Sequence, residues 1–401
     1  MNSFIKNYGS TLALLAGLVV GGIVGIYAPE TAHAVKPVGD FFLNLLFVLV
    51  VPMVFFSISV SICNMKKSGN VGRLFGTTLL VFLGMSLVAG VVAYIGTRIY
   101  SPLGDVAANS LAVEGNQQGK LADAIVSSFT VTDFPLLFSK SALLPLIVFA
   151  ALMGYSIASL GQKAEPLEQL INAGNEVIMK MMNIVMYIAP VGLGCFFADT
   201  VAVVGNQLLE GYLRSFILFV GLAAFYFFIM NPLYVLLSLG VKGYKLYWQH
   251  ILPPSIVAFA TGASSLAIPG NIDALKKMGA DPDLAEMIIP FGTNVHKDGS
   301  VMSGLMKTVF LMLLVGQSIT TPSGMLLALS IGIVSSIVLG AVTGGMLVGE
   351  LLITSLLGLP AEVAGVIIVV GTLVDMPATL INSTSNVVAT LLVDTFTKKR
   401  K

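Results

Sequence analysis

The sequence predicts an all-α polytopic membrane protein whose C-terminal third is broken into two re-entrant segments. Three observations predict it. Hydrophobic residues make up 56% of the 401 residues and charged residues only 10%, against roughly 25% charged in a soluble chain. Apolar runs of the length a bilayer requires, about 20 residues, recur along the whole chain. Two late stretches are apolar on both sides of a cluster of Gly, Ser and Pro, the pattern of helical hairpins that enter and leave from one side.

The exclusions follow at once. A soluble surface cannot be built from 21 basic and 20 acidic side chains in a chain of mean hydropathy +0.94. That rules out a soluble enzyme, a nucleic-acid binder and a disordered hub, and the net charge of +1 asks for no polyanionic partner. Cys63 and Cys195 lie in apolar runs and read as small buried hydrophobes, with no disulfide framework.

In order along the chain, apolar runs occupy about 10–28, 41–65, 74–97, 141–161, 181–198, 215–241, 300–318, 326–349 and 351–393. The first run is long and no small-residue cleavage site follows it, so a cleaved signal peptide is not expected. Lys6, then Lys66, Lys67 and Arg73, then Lys242 and Lys245, and the terminal Lys398-Lys399-Arg400-Lys401 fall on one side by alternation. The positive-inside rule makes that side the cytoplasm, with both termini in it. The loop 100–138 lies opposite, with Asp105, Glu114, Asp123 and Asp133 against Lys120. The reading is a multi-pass plasma-membrane protein, divided at about 252 into six leading spans and a core over 253–401.

Residues 254–299 are broken by Pro254, Gly262, Ser264, Ser265, Pro269 and Gly270, directly after Pro253. Residues 332–349 are broken by Ser335, Ser336, Gly340, Thr343, Gly344, Gly345 and Gly349. Unwound backbone at membrane depth is tolerated only where protein buries it or a cavity borders it. Two such segments, each followed by a long helix with polar residues inside, suggest an inverted repeat with a substrate site at its interface.

Ionisable groups inside the membrane mark function by default. They are His296, Lys297 and Asp298, then Glu350, then Asp375. Asp375, Thr379, Asn382 and Asn386 recur at steps of four, three and four, so they share one helical face. Plainer readings stand beside these. Lys297 and Asp298 could be a pair that only orders the bundle, the stripe could be interhelical hydrogen-bonding glue, and Glu350 could mark a segment boundary. Asn382-Ser383-Thr384 has the form of a glycosylation acceptor, but inside a span it is discarded.

These residues resemble the dicarboxylate/amino acid:cation symporters, the glutamate-transporter family, as a divergent bacterial-type member. The resemblance covers nearly the whole chain. It includes Val50-Val51-Pro52-Met53-Val54-Phe55-Phe56 and Ala189-Pro190-Val191-Gly192. His296-Lys297-Asp298-Gly299-Ser300 stands where the family has Asn-Met-Asp-Gly-Thr. Ser264-Ser265 followed by Pro269 is similar to the serine-rich tip of its first hairpin, and Asp375-Met376 through Thr379 and Asn382 to its last binding helix.

The resemblance implies eight spans and two hairpins per protomer, and a homotrimer in the lipid bilayer. Spans one, two, four and five would form a scaffold. Spans three and six, both hairpins and the last two spans would carry substrate by an elevator motion. Ser264, Ser265, Asp375, Ala378, Thr379 and Asn382 would bind substrate, Asp375 taking its amino group and Asn382 its α-carboxylate. Gly340, Ala341, Val342, Thr343 and Gly344 would form the second hairpin's gate, and His296, Lys297, Asp298 and Asn386 the coupling site. No cofactor is implied.

The departures sharpen this. Ala378 stands where acidic-substrate members place an arginine, and Gly262 replaces another, so a neutral L-amino acid is expected. The family's sodium ligands become Phe82, Met85, His296, Leu339 and Asn386, with Ser86 and Asp298 kept. Met, Leu and Phe offer no oxygen to sodium. A proton carried by Lys297 and relayed by His296, or Lys297 as a fixed charge, is favoured over sodium. A sodium symporter with fewer sites, or an exchanger, remains the alternative. An intramembrane enzyme lacks its motifs here, no ATP-binding loop is present, and a channel would not need a ligand as specific as Asp375.

Overall fold

The computed structural model describes residues 2–67, 72–104, 130–139, 142–204, 206–339, 345–360 and 363–398. Every regular element among them is helical. The expected gate residues Gly340, Ala341, Val342, Thr343 and Gly344 lie outside the described residues, as do most of the polar loop and the last three residues.

The first group of helices is α1 (Asn2–Tyr27), α2 (Pro29–Lys67), α4 (Leu143–Leu160), α5 (Glu165–Met186) and α6 (Ala189–Val204). In this group α2 packs on α4, α5 and α6, and α1 on α6. The seam between α1 and α6 is made by glycine. A Cβ on Gly17 or Gly21 would strike the backbone carbonyl of Pro190 or Gly194, and one on Gly25 would lie 2.5 Å from the carbonyl oxygen of Ala198. Small residues let the two backbones touch, and lipid-embedded helices associate through such packing.

The second group is α3 (Gly72–Ile99), α7 (Asn206–Phe225), α8 (Asn231–Thr261), α9 (Ile268–Lys277), α10 (Pro282–Val295), α11 (Asp298–Leu314), α12 (Pro322–Leu339), α13 (Gly345–Leu356) and α14 (Ala364–Lys398). Here α11 and α14 are central. Helix α11 packs on α3, α12 and α14, and α14 packs on α3, α7, α8 and α10. Nearly every side chain of α11 is buried, while α3 turns Leu80, Leu83, Leu87, Val91 and Ile95 outward, an apolar face suited to lipid.

Several apolar runs divide differently from the sequence reading. The run 181–198 is interrupted by a turn at Tyr187–Ile188 between α5 and α6, and the run 351–393 contains the end of α13 and the start of α14. Hydropathy does not see these breaks, because both sides are equally apolar. Five stretches are long and apolar enough by length and composition to cross a membrane: Pro29–Val60, Gly76–Ile99, Pro145–Met182, Leu209–Thr261 and Ala364–Thr397. Ala16–Tyr27, Ala189–Val203 and Pro322–Ser336 are shorter apolar helices among the described residues.

Two glycines set the first hairpin. Gly240 has φ 67° and splits α8 where one helix ends and the hairpin's first arm begins. Gly262, at φ 61°, ends that arm in the left-handed conformation that costs glycine little. A short turn, Ser264–Ala267, leads into α9. Asp281 then starts α10 by accepting from the amides of Asp283 and Leu284, with Pro282 in the first turn.

Candidate functional site

Helix α10 stops at Val295 because His296 (φ −115°, ψ 113°) and Lys297 (φ −142°, ψ 79°) are extended. Helix α11 restarts at Asp298, whose carboxylate lies at a helix N-terminus, where negative charge is favoured. This break faces the polar stripe of α14.

Asp298 is fully buried and ties three elements together. Ser86 Oγ of α3 donates to its Oδ1 at 3.3 Å, and Tyr226 donates to its Oδ2 at 2.8 Å. Tyr226 opens a π-helical turn, Tyr226–Met230, between α7 and α8; such turns recur at functional sites. His296 Nε2 lies 3.0 Å from Asp298 Oδ1, outside hydrogen-bond alignment.

The His296 ring is clamped on both faces of the problem, by stacking and by hydrogen bonding. Phe82 stacks on it at 4.4 Å with 12° between planes. Asn386 Oδ1 is 3.0 Å from Nδ1, while Asn386 Nδ2 donates to the carbonyls of Asn382 at 2.8 Å and His296 at 3.3 Å. Two carbonyl partners fix the amide, so its oxygen faces the ring and His296 Nδ1–H donates. Nε2 is the ring nitrogen turned toward the Asp298 carboxylate. Gly292 makes the clamp possible, since a Cβ there would run into Asn386 and sit 3.1 Å from Phe82.

The rest of the stripe meets the first hairpin and α11. Asn382 Oδ1 accepts from the Ser300 amide, and its Nδ2 donates to Ser300 Oγ, both at 3.0 Å. Thr379 Oγ1 donates to the Gly262 carbonyl at 3.5 Å. A Cβ on Gly262 would lie 3.4 Å from Asp375 Oδ2. Ala378 is buried, and its carbonyl leaves no room for a Cβ on Gly299. Asp375 itself is half-buried.

The structure thus brings together Asp375, Ala378, Thr379, Asn382, Asn386, His296 and Asp298, with Lys297, whose charge acts on Asp375. The apex turn also packs on α14. There Gly262 meets the stripe through its carbonyl, while Ser264 is half-buried and Ser265 exposed. Around Asp298 the structure places Ser86, Tyr226 and His296. Of the aligned third-span residues, Phe82 and Ser86 face this centre, and Met85 is buried in the adjoining apolar core. Leu339 ends α12, with its side chain outside the described residues.

Sequence reasoning missed Lys307. It lies inside the run 300–318, is 1% exposed, and its ammonium hydrogen-bonds Glu350, itself 0% exposed. A lone lysine inside an apolar span was the available signal. Ser383 and Thr384, the supposed glycosylation acceptor, are buried and hold Asn271 and Asn231 at 2.9 and 3.0 Å.

Charged and amide groups gathered around interrupted helices, in a largely apolar chain whose described regular elements are all helical, are the features of a membrane transporter. The profile of the sodium:dicarboxylate symporter family matches residues 11–396, and the chain belongs to that family. It is 27% identical over 398 residues to a proton/glutamate-aspartate symporter of Bacillus subtilis, covering 96% of this chain and 94% of that one. It is 26% identical over 406 residues to a proton/sodium-glutamate symport protein of Bacillus caldotenax, covering 97% and 94%. Identity to C4-dicarboxylate transport protein 2 of Pseudomonas aeruginosa is 25% over 406 residues, covering 96% and 90%.

Proposed function

We propose that this symporter carries a neutral L-amino acid across the plasma membrane and does so without sodium. The observation that carries the substrate reading is the charge balance around the stripe. Asp298 faces His296, Glu350 binds Lys307, and Asp375 is within reach of the charge of Lys297. Each acid has one basic counterpart. A second substrate carboxylate would be left unpaired at low dielectric, which costs several kcal/mol, roughly. A zwitterion adds no net charge: its ammonium goes to Asp375, and its carboxylate to the Asn382 amide beside Lys297.

Uptake into proteoliposomes with a labelled panel tests this. Neutral amino acids are expected to be taken up, and glutamate is expected to compete poorly at equal concentration. Ala378→Arg should raise the relative affinity for glutamate. Equal competition by glutamate in the wild type defeats the reading.

The clamped His296 supports sodium independence. Its ring fills the space beside Asp298 with a nitrogen and a stacked Phe82 face, where a sodium ion would need oxygen ligands. A proton carried by Lys297 and relayed by His296, or Lys297 as a fixed charge, then stands in for the ion. Substrate binding titrated with sodium at constant ionic strength is expected to stay flat. A steep rise with sodium restores the sodium-coupled alternative that Ser86 and Asp298 leave open.

The homotrimer and the elevator motion belong to the same proposal, as do eight spans, two hairpins and cytoplasmic termini. Their support is the division of helices: α1, α2, α4, α5 and α6 pack mainly with one another, and the others mainly around α11 and α14.

A further inference from the structure

The Lys307–Glu350 pair has no part in the reading above except as balanced charge, yet its position is particular. His296 faces Asn386, and Ser300 faces Asn382, so the chain of α11 and its preceding break runs antiparallel to α14. From Ser300 to Lys307 and from Asn382 back to Asp375 is seven residues in each helix, about two turns. The register therefore sets Lys307 level with Asp375, and the Lys307 charge acts on that carboxylate. Its ammonium is nonetheless bound to Glu350 Oε1. Among the described residues, Glu350 Oε2 is buried without a hydrogen-bond partner.

An ionised carboxylate with one orphaned oxygen is costly in an apolar interior. A proton on Oε2 removes the charge and with it most of the hold on Lys307. Among the described residues, Asp375 is the other anion on which that ammonium acts at this level. The surroundings offer Glu350 little else. Helix α13 packs on α2, α4, α11, α12 and α14. Helices α4 and α12 carry no acidic or basic side chain, and those of α2 lie at its two ends. Among the described residues the charges acting on Glu350 are those of Lys307 and Asp375, and those acting on Asp375 are Lys297 and Lys307.

We propose that Glu350 is a proton-binding site that controls substrate affinity by holding or releasing Lys307, an internal ammonium that competes with the substrate's amino group for Asp375. With Glu350 ionised, Lys307 is engaged and Asp375 is open to substrate. When a proton from water binds Oε2, Lys307 keeps its three protons and shifts its hydrogen bond from Glu350 to Asp375, and substrate is expelled. Binding of substrate therefore releases a proton. This rests on the proposal that a substrate ammonium binds Asp375.

The test uses the full-length protein with L-alanine, L-serine and L-leucine as probes, measuring dissociation constants, proton release with an indicator dye in weak buffer, and thermal unfolding. Glu350→Gln, a permanently uncharged form, should bind about tenfold or more weakly than wild type. Adding Lys307→Met should return affinity to within about threefold, because the competitor is gone as well. Proton release on binding should be smaller in both variants than in wild type. A folded Glu350→Gln protein with wild-type affinity, or a double variant as weak as the single, overturns the proposal. If Glu350→Gln does not fold, proton release by the double variant decides: a wild-type value overturns the proposal and a reduced value upholds it. A wild type that binds none of the three probes defeats the substrate reading instead. The same variants are then compared with whichever substrate the uptake panel returns.

Discussion

Asp375→Asn is expected to weaken binding of a neutral amino acid about 10- to 1,000-fold while leaving the fold intact. The substitution keeps the size of the side chain, so the space it fills beside Gly262 stays filled. What it removes is the charge proposed to pair with the substrate ammonium. Truncating one partner of a desolvated charge pair costs about 2–5 kcal/mol, and each 1.4 kcal/mol is about tenfold in affinity. Asp375 is half-buried rather than sealed, which favours the lower part of that range. Equilibrium binding to purified protein, with thermal unfolding as a check, measures it. A folded variant with wild-type affinity would make the stripe interhelical glue.

Asp298→Asn should act on stability as well as transport. The carboxylate accepts from Ser86 and Tyr226 and faces His296, with no exposure to water. An amide offers one acceptor oxygen where two are used, and its NH2 must point at a hydroxyl donor or at the ring. It also removes the carboxylate that faces the buried His296 ring. Leaving a buried polar group unsatisfied costs about 1–3 kcal/mol. A fall in unfolding midpoint and loss of uptake are expected. Replacing His296 with Gln in the same protein should recover part of the stability, because an amide there can turn to suit the new amide. A single variant as stable and active as wild type would show that Asp298 ties nothing together.

Much of this site was legible in the sequence for local reasons. The steps from Asp375 to Asn386 fix a common face, and that face does meet the break at His296–Lys297 and the apex at Gly262. The interruption around Gly262 announced a hairpin because glycine, serine and proline weaken helices wherever they cluster. Partners were not legible, because periodicity reports a direction and not what lies there. Lys307 and Glu350 are 43 residues apart and became a pair only once α11 and α13 were placed. Asp298 accepts from Ser86 and Tyr226, 212 and 72 residues away along the chain. Tyr226 needed a π turn to reach Asp298, and nothing in an apolar run of phenylalanines and tyrosines marks one.

The glycine seam between α1 and α6 has a bearing on how the chain is made. Gly21 and its partner Gly194 are separated by roughly 170 residues, and translation at about 5–20 residues per second puts about 10–35 s between their emergence from the ribosome. During that interval α1 is in the membrane with a bare strip of backbone and no helix shaped to cover it. Helix α2, made next, meets α1 far less than α6 does, so it cannot serve as a substitute. Helix α1 therefore depends on the much later α6 for its fit, and any factor that shelters young membrane segments has long work beside α1.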